Sequence, residues 1–380
     1  MNKNFNNLKI GLLGGGQLGR MLLQKAADFS LNIKVLDPDS AAPCRHLTEE
    51  FINGSFKDHD TVYSFGKSCD IITIEIEDVN VEALEKLGEE GILIYPQPRV
   101  IRLVQDKGEQ KIFFQKNNIP TAAFQIIDNR EELASAKIDF PVIQKIRKGG
   151  YDGRGVFRIS TQADISDSFH APSIVEEIIP FNKEIGVIVA RNIQGECVCY
   201  PAVEMEFNSE ANLVEFLSSP AEISNAIELK AQSIAKDVAN ALEIVGILAV
   251  EMFLTSDDNI LVNEIAPRPH NSGHHTIEAN VTSQYEQHLR MILGLPFGNT
   301  DKILPAVMVN LLGEKNFEGP VIYKNIEQVL SMEDVHIHLY GKKFTRPFRK
   351  MGHVTVTGKN MDEVRKKAIQ VKELLKVISE

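Results

Sequence analysis

The stretch "AVEMFLTSDDNILVNEIAPRPHNSGHH", Ala249 to His275, decides how the rest of the chain is read. Two apolar runs flank the polar turn "SDDN", the pattern of a β-hairpin. With the turn at 256–259, symmetric pairing sets Glu251 opposite Glu264, Phe253 opposite Val262 and Thr255 opposite Ile260. Directly opposed side chains have Cβ atoms about 4.5–5.5 Å apart, and two carboxylates there destabilise a sheet unless something neutralises them. No Lys or Arg lies in either strand. A solvated glutamate pair on an exposed face is one reading. The apolar neighbours Val250, Met252, Phe253 and Ile265 favour the other, a divalent cation of oxygen preference on Glu251 and Glu264. Mg²⁺, with Mn²⁺ as an alternative, fits if phosphate oxygens complete its shell, and Asn263 adjoins as a neutral oxygen ligand.

Outward from the hairpin, three segments carry cations. "APRPHNSGHH" (266–275) delivers Arg268, His270, Asn271, Ser272, His274 and His275 on a proline-stiffened turn just past the carboxylates. Such a turn suits a phosphate or carboxylate, with zinc on the three histidines as the rival. "KIRKGGYDGRG" (145–155) reads either as a glycine flap whose N–H groups and Lys145 cover a triphosphate, or as a hairpin tip with solvated lysines. "YGKKFTRPFRKMGH" (340–353) gathers Lys342, Lys343, Arg346, Arg349 and Lys350 with no acid among them. Five cations confined to one turn repel one another unless solvated or paired, and a phosphomonoester is a fitting partner.

The N-terminal hundred residues alternate strand and helix, which implies a doubly wound parallel sheet. "KIGLLGGGQLGRM" (9–21) places Gly14, Gly16 and Gly19 in the G-x-G-x-x-G spacing, and "IKVLD" ends in Asp37 where an acidic residue binds a ribose hydroxyl. Read alone, this loop suggests NAD. "YPQPR" then punctuates the chain, and one helix is expected over about Val100–Asn117. Further helices are expected near 224–242 and 361–378, the last carrying Val364, Ala368, Val371, Leu375 and Ile378 at helical spacing.

Composition bounds the partners. With 380 residues, two to four domains follow, and 43% hydrophobic and 24% charged residues describe a globular protein. A net charge of −11 argues against a broad nucleic-acid or anionic-membrane surface. Cys44, Cys69, Cys197 and Cys199 lack zinc spacing and read as reduced thiols. Together with no signal peptide and no apolar run near 18 residues, they lead us to expect a cytoplasmic protein.

The order of "GGGQLGRM", "DK" (106–107), "KGGYDGRG", "VEEIIPFNKE", "VEMF", "NEIAPRPHNSGH" and "RKMGH" resembles the ATP-grasp superfamily. Within it, the likeness is to the N5-carboxyaminoimidazole ribonucleotide synthase (PurK) family of bacterial purine biosynthesis, over essentially the whole chain. The resemblance implies an α/β and α+β architecture: a Rossmann-like doubly wound parallel-sheet domain (1–99), an ATP-grasp domain (100–300) with a mobile lid at about 108–173, and a small β-rich C-terminal domain (301–380) ending in a helix. It implies an ATP-dependent ligase that phosphorylates bicarbonate to carboxyphosphate and carboxylates the amine of aminoimidazole ribonucleotide. ATP would be held by Lys107, Lys145, the flap Gly149, Gly150, Tyr151, Asp152, Gly153, Arg154 and Gly155, the hinge Glu176, Glu177, Ile178 and Ile179, and Glu184, with Asn263 and Glu264 at its metal. Tyr151, Asp152, Arg268 and His270 would handle bicarbonate, carboxyphosphate and the amine, with Asp152 and His270 both candidates for the base. Gln17, Leu18, Glu75 and Asn271 would face the ribonucleotide, and Lys342, Arg349 and Lys350 would grip its phosphate. On this reading the N-terminal loop holds no dinucleotide. His275 stands where many members carry an aromatic residue, and Gly186 where Ser is more usual. The resemblance suggests a homodimer acting on small molecules, with no nucleic-acid or membrane partner. The alternatives are the formate-using glycinamide ribonucleotide transformylase of the same superfamily, and a nucleotide-binding regulator without turnover.

Overall fold

The computed structural model describes residues 7–150, 155–208 and 213–380. Five parallel strands open the chain: β1 (Ile10–Leu13), β2 (Ile33–Asp37), β3 (Phe51–Asn53), β4 (Ile71–Ile74) and β5 (Leu93–Ile94), in the order β3-β2-β1-β4-β5. Helices α1 (Gln17–Asp28), α2 (His59–Gly66) and α3 (Val81–Glu89) connect them. Every residue of β1 and β4 is buried, as expected of uninterrupted apolar runs covered on both faces. Asp58 and Asn80 cap α2 and α3 through their side chains, whereas Gly16 at the start of α1 has none to offer.

The single helix expected over Val100–Asn117 is two, α4 (Pro98–Val104) and α5 (Lys107–Lys116). Asp106 breaks it, because its carboxylate accepts from Gly108 and Glu109 N–H and so starts α5 afresh. Phe114 of α5 is fully buried among Ile185, Val187 and Val250, so this helix belongs to the central core. The four-stranded antiparallel sheet that follows contains β6 (Phe124–Ile127), β7 (Val142–Ile146), β8 (Val156–Ile159) and β9 (Ser173–Glu177), with the short α6 (Arg130–Ser135). This sheet, Phe124 to Glu177, falls largely within the 108–173 span expected of a lid, which also takes in most of α5.

The central strands are β10 (Phe181–Arg191), β11 (Cys197–Cys199), β12 (Val203–Asn208), β13 (Leu213–Ser219), β14 (Gly246–Thr255) and β15 (Ile260–Ala266). Helix α7 (Asn225–Leu242), capped by Ser224, lays Ala231, Ala235, Val238 and Leu242 on them. After α8 (Thr276–Ala279) and α9 (Gln284–Ile292) come β16 (Ala306–Leu312), β17 (Gly319–Lys324), α10 (Ile326–Leu330), β18 (Val335–Leu339), β19 (Phe344–Thr345), β20 (Lys350–Thr357), α11 (Met361–Leu374) and β21 (Lys376–Ser379). The terminal helix ends before Leu375. Ile378 lies instead in β21, which pairs antiparallel with β17. β16 pairs with β13, so one sheet, β15-β14-β10-β12-β13-β16-β20-β18, runs from the hairpin into the C-terminal region. Among the described residues no helix is long and apolar enough to cross a membrane.

Candidate active site

Glu251 and Glu264 face each other across β14 and β15, as the hairpin pattern predicts. The register below them differs from the symmetric expectation: Phe253 faces Leu261, not Val262, and Leu254 rather than Thr255 faces Ile260. A bulge between Glu251 and Met252 leaves Asn263 as the extra residue of β15. Its cause is non-local. The outer edge of β15 is held by the segment before β6, with Val262 N–H donating to Pro120 O at 2.7 Å and Thr121 bridging Val262. In a regular strand Asn263 and Glu264 would point to opposite faces; a bulge re-aims one of them. Here both reach cations of the same site, Lys107 Nζ at 2.5 Å from Glu264 Oε2 and Lys145 Nζ at 3.0 Å from Asn263 Oδ1.

Lys107 opens α5 and Lys145 is the penultimate residue of β7. Arg147 ties these two segments together by donating to both oxygens of Asp106 at 2.8 and 2.9 Å. Lys145 also pairs with Glu176 Oε2 at 2.6 Å, and Lys111 reaches Glu176 from the other side. Burial pushes the Glu176 carboxyl up, but the two ammonium groups outweigh it and hold it below the ordinary range. Lys107 is held up by Glu264, and Lys107 in turn is the main cause that keeps Glu264 low. Glu251 goes the other way: burial, then Glu264 and Glu184, raise it, against a pull from Lys350 and Lys107. Burial likewise raises Glu184 to about 7. Two carboxylates face each other and one of them lacks a close ammonium partner; that donor set fits a hard divalent cation. Among the described residues no group of three or more His, Cys, Asp or Glu side chains is placed to hold a metal, so phosphate oxygens would have to complete such a shell.

The loop after β15 turns back over the carboxylates. His270 Nδ1 lies 3.6 Å from Glu251 Oε1 and 2.9 Å from Ser272 Oγ. Arg268 points to the N-terminal domain and pairs with Glu77 at 2.8 Å. Asn271 exchanges both amide bonds with Asn310 of β16 at 2.9 Å, so its side chain joins the loop to the C-terminal strands. His274 Nδ1 is 3.0 Å from Tyr285 Oη, a use unlike the zinc ligation that the three histidines had left open. His275 is fully buried, and burial pushes it down to about 4, so it sits in the core as a neutral ring. A Cβ at Gly186 would meet Val203, Ser272 and Met205 at 3.4–3.6 Å, ordinary contact that leaves room for the Ser expected there.

The glycine loop of the first strand has its own anion. Glu75, just past β4, accepts from Gly16 N–H at 2.5 Å and Gly19 N–H at 2.6 Å. These are the amides a dinucleotide pyrophosphate would use at a helix N-terminus. Asp37 accepts from Gly15 N–H at 2.6 Å. A Cβ at Gly16 would stand 2.5 Å from Glu75, so the glycines admit the carboxylate. Gln17 and Leu18, half-buried in the first turn of α1, lie beside it. Across from them, Lys342 Nζ donates to Lys350 O at 2.8 Å and Arg349 donates to Phe344 O at 2.8 Å. Burial and then Arg346 lower the Arg349 guanidinium.

The remaining site residues divide. Gly149 and Gly155 carry positive φ (78° and 77°), and a Cβ at Gly155 would overlap Ile146. Glu177 ends β9, Ile178 and Ile179 lie in the connector to β10, and Glu184 on β10 stands opposite Phe253. Tyr151, Asp152, Gly153 and Arg154 lie outside the described residues. Two residues outside every motif quoted above serve the site, Lys111 and Asn310, and Asp106 of the "DK" motif serves it as cap and as partner of Arg147. Lys111 had a signal, because it falls one helical turn after Lys107 on the same face.

Comparison with known proteins follows the same division. The ribonucleotide synthetase preATP-grasp domain family matches residues 7–105, the ATP-grasp domain family 112–285 and the phosphoribosylaminoimidazole carboxylase C-terminal domain family 306–367. The N5-carboxyaminoimidazole ribonucleotide synthase of Bacillus subtilis is 36% identical over 93% of this chain and 92% of its own. The chain spans about two thirds of the length of other curated relatives, named phosphoribosylaminoimidazole carboxylase. The crystal structure of N5-carboxyaminoimidazole ribonucleotide synthetase from Thermotoga maritima is 43% identical, with a TM-score of 0.91 over 98% of this chain and 100% of that one. The Aspergillus clavatus N5-carboxyaminoimidazole synthase, solved in complex with ADP and 5-aminoimidazole ribonucleotide, is 35% identical with a TM-score of 0.88, covering 97% and 100%. The chain belongs to the N5-carboxyaminoimidazole ribonucleotide synthase family of ATP-grasp proteins.

Proposed function

We propose that this protein is an ATP-dependent ligase that carboxylates the exocyclic amine of 5-aminoimidazole ribonucleotide, with bicarbonate activated as carboxyphosphate. The observation that carries the reading is the convergence of Lys107, Lys145 and Asn263 on the opposed Glu251–Glu264 pair, from segments that bracket the glycine flap. Lys107 and Lys145, already oriented by acidic partners, bind the phosphates of ATP and stabilise the charge that shifts when the γ-phosphoryl group moves to bicarbonate. Mg²⁺ on Glu251 and Glu264, with Asn263 beside it, would supply further positive charge to those oxygens. Glu176 to Ile179 bind the adenine edge and Glu184 the ribose. Arg268 and His270, on a loop fixed to the N-terminal domain through Glu77 and to the C-terminal strands through Asn271 and Asn310, bind the carboxyl group in transit. Tyr151 and Asp152 close over it. The base that takes the amine proton is Asp152 or the His270 imidazole. Lys342, Arg349 and Lys350 hold the ribonucleotide phosphate opposite Gln17, Leu18 and Glu75. The site is built for small anions, in a homodimer of the cytoplasm.

Phosphate release from MgATP tests the reaction. Release that requires both aminoimidazole ribonucleotide and bicarbonate is expected. Release with glycinamide ribonucleotide plus formate instead would move the chain to the formyl-transfer branch, and none with either would refute the ligase reading.

A further inference from the structure

The five cations of the 342–350 turn must be held together before any phosphate neutralises them, and the turn itself contains no acid. Its base is different. β18 and β20 pair antiparallel with His338 opposite His353, and the ladder ends where Tyr340 N–H donates to Met351 O at 3.0 Å. There the Tyr340 hydroxyl meets His353 Nδ1 at 3.0 Å, tying the two strands side chain to side chain. Tyr340 is 1% exposed and His353 0%. Two residues after Tyr340 comes Lys342, and three residues before His353 comes Lys350; Lys342 Nζ closes the turn on Lys350 O. The His353 ring is also the middle of a stack, 4.7 Å from the buried His274 of the loop that carries Arg268 and His270, and 4.4 Å from His338. The same ring thus fixes the turn's base and registers it against the loop over the carboxylates.

We propose that Tyr340 and His353 are positioning residues that set the spacing and aim of the Lys342, Arg349 and Lys350 clamp for the ribonucleotide phosphate. This inference rests on the reading of those three cations as the phosphate site. Neither residue touches substrate. Their buried hydrogen bond acts through the two strand ends it joins, so its loss lets the cations relax apart under their own repulsion and weakens binding of the phosphate without altering the nucleotide triphosphate site.

Steady-state kinetics of four variants tests it, with thermal unfolding as a check that each folds. Tyr340→Phe removes one hydroxyl from an otherwise unchanged ring. It is expected to raise the KM for aminoimidazole ribonucleotide about five-fold, the size of one lost hydrogen bond, with the KM for ATP and kcat within two-fold of wild type. His353→Leu should do the same or more, and His353→Asn, which keeps a hydrogen-bonding group near the Nδ1 position, should recover most of the loss. The fourth variant, Lys350→Ala, reports on the clamp itself. If Lys350→Ala raises the ribonucleotide KM while Tyr340→Phe and His353→Leu leave it unchanged, the clamp stands and the positioning role is wrong. If Lys350→Ala also leaves it unchanged, the phosphate lies elsewhere and the inference falls with the clamp.

Discussion

At the scale of single residues, the site is a set of paired opposites waiting for anions. Lys107 is matched to Glu264, and Lys145 to Glu176 and Asn263, so each ammonium proposed to bind phosphate is held in place by a group that can be shared or exchanged with an anion. Glu251 has the weakest local compensation, with His270 Nδ1 at 3.6 Å. Glu264→Ala removes one of two facing carboxylates and releases Lys107 at once. It should abolish ATP turnover, by at least about 10²-fold on the scale of lost electrostatic stabilisers, while the fold survives because the residue is on a hairpin edge. Phosphate release by the variant at saturating MgATP is the measurement, and turnover near wild type would refute the metal role of the hairpin. Glu75 gives the complementary lesson: the glycine signature was legible, its occupant was not. The carboxylate that fills the amides of Gly16 and Gly19 arrives from a strand more than fifty residues away.

At the scale of elements, a local signal is present in the sequence even where the expected boundary overran it. Asp106 shows this: the expected single helix runs through it, although Asp directly before a helical stretch is an N-cap signal, and the same carboxylate also receives Arg147 from just past β7. Burial raises the Asp106 carboxyl, but the Arg147 bonds, then its charge and the two capped amides, bring it below the ordinary value. A depressed folded-state pKa means that this stabilisation is present above about pH 4 and is lost as pH falls through the folded value. Asp106→Ala should cost about 1–2 kcal/mol of stability through the lost cap and raise the KM for ATP, because the start of α5 aims Lys107. Urea unfolding and ATP kinetics check the two effects separately; a normal ATP constant would detach the cap from the nucleotide site. The bulge at Asn263 and the switch from α11 to β21 were not readable in this way. The first depends on Pro120 and Thr121 gripping the edge of β15, and the second on β17 pairing with "KVIS", so both are decided by strands distant in sequence.

At the scale of the whole molecule, the three regions expected from the sequence meet over a polar interior that composition does not announce. One sheet continues from the hairpin through β13 and β16 into the C-terminal strands, and the N-terminal sheet, α9 and Tyr340 share one apolar cluster. Within or beside these junctions lie four fully buried histidines, His274, His275, His288 and His353. Burial pushes His275 and His288 down to about 4, and burial followed by the neighbouring histidines pushes His274 and His353 well below the ordinary value. All four fold as neutral rings. In the unfolded chain they take up protons near pH 6.5, so the unfolded state binds more protons below that value and stability falls as pH falls. Above about pH 7.5 their contribution is complete and flat. Below about pH 6, each removes about 1.4 kcal/mol per pH unit, roughly 5 kcal/mol per unit for four, against a typical total of about 5–15 kcal/mol. The raised Glu184 and Glu251 carboxyls act in the opposite direction, because they hold protons in the folded protein where the unfolded chain does not, so the four rings contribute the falling part of the urea profile toward pH 5 rather than setting it alone. His275→Phe tests the assignment to these rings, because it restores the aromatic residue expected at that position and removes one titrating group. Its profile should be shallower below pH 6 by about 1.4 kcal/mol per unit, with little change at pH 8. A His275→Phe profile parallel to that of the wild type would mean that protons reach this ring in the folded protein.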